Sequence, residues 1–125
     1  SPEDHHRQPA PAEHGELPGD LAYVTVSPGD EQRAAAFYSG LFGWGFHPGN
    51  VERGLQVEGM HPGGGFWGGT GRQNVMLMYR VADVAAAVAK VRELGGQATD
   101  PVQMPYGITS DCVDDQGMAF YLGEL

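Results

Sequence analysis

Apolar and polar side chains alternate along Leu21–Ser27 (LAYVTVS). Ala22, Val24 and Val26 fall on one face, and Tyr23, Thr25 and Ser27 on the other. That period of two predicts a strand with one face against a core. Pro28-Gly29 then turns the chain, and Asp30 offers an N-cap. Ala34, Phe37, Tyr38 and Leu41 follow at i, i+3, i+4 and i+7. This spacing predicts a helix over about Glu31–Phe42 with one apolar stripe against the sheet. Gly43 suits its C-terminal stop. The same order returns downstream. Asn74–Val81 (NVMLMYRV) alternates Val75, Leu77, Tyr79 and Val81 against Asn74, Met76, Met78 and Arg80. Asp83 caps a second helix of about Val84–Leu94 whose stripe is Val84, Ala87, Val88 and Val91, and Gly95-Gly96 ends it.

The two caps, Asp30 and Asp83, lie 53 residues apart, and the two helix stops lie 52 apart. A period of this size marks a duplicated supersecondary unit. After each helix the pattern turns to strands. The first set is Trp44–His47, Gly54–Glu58 and the glycine-rich His61–Gly71. The second is Gln97–Val102, Ile108–Val113 and Met118–Gly123, the last after the turn Asp114–Gly117. Each half therefore reads β-α-β-β-β.

Composition narrows the function classes. With 125 residues the chain predicts one domain. A net charge of -9 disfavours phosphate backbones as partners. No apolar run reaches membrane-spanning length, no secretory leader is legible, and the one cysteine, Cys112, cannot pair within the chain. The expectation is a cytoplasmic protein that binds neither nucleic acid nor membrane. Residues 1–19 hold four prolines and few large apolar side chains, which predicts a flexible tail in which His5, His6 and His14 are solvated. The folded domain is expected over 20–125.

The run FYSGLFGW (Phe37–Trp44), with YRVADVAAAVAKVRELGG, MPYG and DDQGMAFYL in the second half, resembles the vicinal-oxygen-chelate superfamily of glyoxalases, bleomycin-resistance proteins and dioxygenases. The resemblance spans about residues 20–125. It implies an α+β fold of two βαβββ modules, about 20–71 and 72–125, whose strands form a half-open, curled mixed sheet. Helices cover the outer face and a cup lies on the other. Ala22, Val24, Val26, Val75, Leu77, Val81, Phe120 and Leu122 are expected to meet the helices. Tyr23, Thr25, Met76, Met78 and Tyr121 are expected in the cup.

Metalloenzymes of this superfamily hold a divalent ion with His, Gln or Glu. The resemblance assigns three of those positions to Tyr23, Met76 and Tyr121, and a fourth near Phe66-Trp67. Phenols and thioethers are poor donors for such ions, so neither metal nor other cofactor is expected. His47, Glu58, His61 and Asp111 show no recognisable ligand spacing. The glycine-rich run around Phe66-Trp67 lacks the Gly-Lys-Ser/Thr of a phosphate loop. Cys112, in a strand without a neighbouring base, reads as a buried inert thiol.

The expected ligand-binding set is Tyr23, Trp44, Phe66, Trp67, Met76, Met78, Tyr106 and Tyr121. Apolar walls with a few polar tips suit an aromatic or apolar small molecule. The implied function is sequestration of such a compound by a homodimer, in the manner of drug-resistance members, with no assigned catalytic residue. A metal-free isomerase or cyclase using a tyrosine or histidine as proton carrier is the alternative. A metalloenzyme with displaced ligands is the third reading.

Overall fold

The computed structural model describes residues 17–125, and the tail expected over 1–19, with His5, His6 and His14, lies outside the described residues up to position 16. Leu17–Gly19 are already tied down. The Leu17 N–H donates to the Asp20 carboxylate at 3.0 Å, and the Gly19 N–H to the Arg80 carbonyl at 2.7 Å.

The elements run β1 (Leu21–Ser27), α1 (Glu31–Phe42), β2 (Phe46–Pro48), β3 (Gly54–Val57), β4 (Gly63–Trp67), β5 (Asn74–Arg80), α2 (Val84–Glu93), β6 (Gln97–Ala98), β7 (Val102–Met104), β8 (Gly107–Val113) and β9 (Ala119–Glu124). All strands join one nine-stranded mixed sheet in the order β2-β3-β4-β1-β5-β9-β8-β6, with β7 also on β8. In each half the first strand is parallel to the last, β1 to β4 and β5 to β9, and the halves meet where β1 runs antiparallel to β5. The predicted strand Gln97–Val102 is split into β6 and β7. Pro101, between them, has no N–H to give a ladder.

Both helix starts form as the sequence predicts. The Asp30 carboxylate accepts from the Gln32 and Arg33 N–H groups at 3.0 Å, and Asp83 from Ala86 at 3.1 Å. Gly43 takes the left-handed φ of 74° that closes α1. The two helices then differ. Val84 and Val88 of α2 are buried. The stripe predicted for α1 is not, since Phe37 and Leu41 are 63 % and 59 % exposed. Only Tyr38 of its large side chains turns inward, edge-on to Phe66 (5.4 Å between ring centroids) and stacked on Trp44 (5.9 Å). The helix thus rests on the sheet through one aromatic cluster rather than along its length. On β5, Val75, expected to meet a helix, remains 56 % exposed.

A buried carboxylate anchors the start of α1. Arg53 Nε and Nη2 donate to Glu31 Oε1 at 3.1 and 2.9 Å, linking the helix to the β2–β3 turn. Arg53, chiefly through those hydrogen bonds, holds the Glu31 carboxyl below its ordinary pKa.

Candidate functional site

Strand register decides which side chains share the cup. Cross-strand neighbours point to the same face. One row crosses five strands: Gly63 (β4), Tyr23 (β1), Met78 (β5), Tyr121 (β9) and Asp111 (β8). The next row holds Gln56 (β3), Gly65 (β4), Thr25 (β1) and Met76 (β5). The two modules therefore contribute one tyrosine each, on either side of Met78. At one inter-strand spacing per step, their backbones stand about 10 Å apart.

The Tyr23 hydroxyl donates to Gln56 Oε1 at 2.9 Å, and Gln56 Nε2 donates to the Gly64 carbonyl at 3.0 Å. Burial raises the Tyr23 pKa, the Gln56 hydrogen bond partly offsets it, and the nearby Tyr106 hydroxyl raises it further. Burial also raises that of Tyr121, as do the Asp111 charge and Tyr106, while the charge and hydrogen bond of Arg72 pull it down. Both phenols are thus neutral hydrogen-bonding groups at physiological pH. Beside Tyr121 lies an open groove of about 350 Å³ lined by Arg72, Met76, Gln97, Asp111 and Val113 among others. Its walls are more polar than the expected apolar cup.

The eight side chains expected in the pocket do not all gather there. Tyr23, Met76, Met78 and Tyr121 form a contiguous floor, and Tyr106, half-exposed, acts electrostatically on both tyrosine hydroxyls. Trp67 shares the cup face by register with Gly63 and Gly65, yet it lines a separate groove with Val51 and Arg53. Trp44 and Phe66 are placed on the opposite face. Phe66 pairs with Val26 and is 2 % exposed among Tyr38 and Phe46, and Trp44 stacks on Tyr38 and lies 4.8 Å from Phe42. Phe66 is a core residue under α1, and Trp44, partly buried, packs against that helix. Gln56 and Arg72 join the site without having been singled out. Gln56 was legible, because it is the polar residue between Leu55 and Val57 in a strand. Arg72 sits in the β4–β5 loop, where no periodicity operates.

A divalent ion does not fit this donor set. Tyr23 and Tyr121 are phenols held protonated, and Met76 offers a thioether. The cup positions of β4, where the fourth ligand would fall, are Gly63, Gly65 and Trp67, none of which offers a donor atom to a metal. Among the described residues no three His, Cys, Asp or Glu side chains cluster to hold a metal. His47 and Glu58 form only a pair, 3.1 Å apart and exposed at the sheet edge. Cys112 is buried, and burial, its largest influence, raises its pKa, so the thiol is unreactive.

A glyoxalase-like domain model matches residues 23–122. The chain belongs to the glyoxalase-like domain family. It is accordingly a member of the vicinal-oxygen-chelate superfamily. Solved structures share the fold at low identity. Methylmalonyl-CoA epimerase of Streptomyces coelicolor, as a variant in complex with 2-nitronate-propionyl-CoA, is 14% identical with a TM-score of 0.64, covering 84% of this chain and 93% of its own. The Mycobacterium tuberculosis methylmalonyl-CoA epimerase is 14% identical with a TM-score of 0.64, covering 84% and 86%. A hypothetical protein of Bacillus halodurans is 10% identical with a TM-score of 0.67, covering 84% and 93%. A search of curated proteins finds no match. Among the described residues no helix is long and apolar enough to cross a membrane.

Proposed function

We propose that this domain binds a small, partly aromatic molecule in the cup between its modules and holds it without a metal ion, as a sequestering protein of the drug-resistance kind. The observation that carries this reading is the row Tyr23–Met78–Tyr121, which sets two neutral phenols from opposite modules around a thioether floor. Neutral phenols orient a ligand by hydrogen bonds, but they are weak bases at physiological pH. The lone buried Cys112 suits a reducing compartment such as the cytoplasm.

The test is a calorimetric screen of planar compounds against protein purified without added metal. Trp44 lies on the helix side, so tryptophan quenching is a poor readout. Tyr23→Ala and Tyr121→Ala are each expected to weaken binding by about 1–3 kcal/mol, and EDTA to leave affinity unchanged. Stoichiometric metal whose removal abolishes binding overturns the proposal. A second reading, metal-free proton transfer, is favoured by the His47–Glu58 pair on the cup-facing register of the β2 edge. Turnover of a bound compound that His47→Gln abolishes would establish it instead.

The partner that suits the exposed face of α1 is a second copy of the chain. Phe37 and Leu41 stand open there, as does Val75 on the same side of the sheet. Closed two-fold pairing would cover such a patch on both copies. Light scattering is expected to give about 27 kDa, twice the chain's 13.3 kDa. A species of the chain's own mass at micromolar concentration argues against it.

A further inference from the structure

The groove beside Tyr121 is lined by two opposite charges. Arg72 precedes β5, and Asp111 lies on β8, one strand beyond Tyr121. The ion pairs among the described residues are His47–Glu58, Glu31–Arg53, Lys90–Glu93 and Arg92–Asp100. Arg72 and Asp111 are in none of them. They therefore do not neutralise one another at contact distance, although both act on the Tyr121 hydroxyl. The Arg72 guanidinium carries five donors, and its charge lowers the Tyr121 pKa. Its backbone is braced locally, with the Arg72 N–H donating to Thr70 Oγ1 at 3.2 Å. The Asp111 main chain is fixed by its N–H to Thr99 Oγ1 at 3.0 Å and by its carbonyl, which accepts from the Thr99 N–H at 2.9 Å. Both charged groups are thus carried on positioned backbone at the sides of one groove.

We propose that this groove selects a zwitterion: a small aromatic molecule whose carboxylate meets the Arg72 guanidinium and whose ammonium meets the Asp111 carboxylate, its ring lying along Tyr121 and Met76. This rests on the cup being the binding site. A plain anion would gain Arg72 but meet Asp111, and a plain cation the reverse. A molecule bearing both charges satisfies both groups and leaves neither desolvated without a partner. Asp111 and Arg72 line the groove from different elements, β8 and the β4–β5 loop, without pairing with one another, so a ligand that carries its two charges at separate ends of a ring suits them. The overall charge of -9 would discourage simple anions further.

The experiment uses the full chain and four probes of matched size: 4-(aminomethyl)benzoate, 4-methylbenzoate, 4-methylbenzylamine and the neutral 4-methylbenzyl alcohol. Binding is followed by calorimetry and by the ring resonances of Tyr121. The zwitterion is expected to bind about ten- to hundredfold more tightly than either singly charged probe, as a satisfied charged hydrogen bond allows. Arg72→Gln should remove that advantage and Arg72→Lys restore part of it. Asp111→Asn should remove it too, while improving 4-methylbenzoate. The neutral alcohol should be unaffected by all three variants. If the four probes bind alike, or the advantage survives Arg72→Gln or Asp111→Asn, the zwitterion assignment is overturned while the cup stands as a binding site. If no probe moves the Tyr121 resonances at millimolar concentration, both readings fail.

Discussion

Phe66→Ala is expected to destabilise the domain by about 3–5 kcal/mol, a drop in melting temperature of about 10–20 °C. The ring is 2 % exposed and lies edge-on to both Tyr38 at 5.4 Å and Phe46 at 5.2 Å. Tyr38 is the inward-facing aromatic of α1, so the cavity would open where that helix rests on the sheet. Such a gap is hard to close because the cluster is built from rigid rings on α1, β2, β4 and the segment that joins α1 to β2. Urea denaturation of Phe66→Ala beside Trp67→Ala separates the two faces. Trp67, on the cup register of β4, should cost clearly less. A Phe66→Ala protein within about 1 kcal/mol of wild type that had lost ligand binding would mean that the faces of β4 are reversed.

Gly65→Ala is the second large effect, and Gly63→Ala its control. A methyl on Gly65 would stand 2.5 Å from the Tyr23 hydroxyl oxygen and 2.9 Å from the Leu55 carbonyl. The tyrosine tip can swing away, but backbone of the adjacent strand cannot. We expect a loss of about 1–3 kcal/mol from overpacking and rupture of the Tyr23–Gln56 hydrogen bond. A methyl on Gly63 meets only the Tyr23 ring, at 3.5 Å, which is ordinary contact. Neither glycine has a positive φ, so Gly63→Ala should be neutral or slightly stabilising through the unfolded chain. Thermal melts of both, with calorimetry on any ligand found, test the pair. Equal stability of the two variants would show that Tyr23 does not lie over Gly65.

The glycine-rich stretch explains where the sequence reading of the site went astray. In β1 and β5 every position carries a side chain, so alternation set Tyr23 apart from Val24 and put Met76 and Met78 on one face of their strand. In β4 three consecutive glycines, Gly63–Gly65, precede Phe66-Trp67. Glycine has no hydrophobicity to reveal which face it lines, so the parity of Phe66 and Trp67 was unreadable. Trp44 follows the helix stop and precedes β2, outside any periodic run. The register of β4 on its neighbours settled Phe66 and Trp67, and ring contacts with Tyr38 and Phe42 settled Trp44.

The sequence by itself determined the duplicated β-α-β-β-β order, both helix caps and the alternation of β1 and β5. These depend on local backbone preference and on a period of two or 3.6, which neighbours along the chain carry. Only the tertiary structure decided what covers each face. It left Phe37 and Leu41 open on α1, buried Glu31 against Arg53, and turned Phe66 inward. It also brought Arg72, from a loop, and Asp111, from β8, into one groove with Tyr121. Periodicity states that a face is apolar, but which element lies over it, and which distant charges meet across strands, depends on pairing between residues tens of positions apart, for which a single chain carries no local signal.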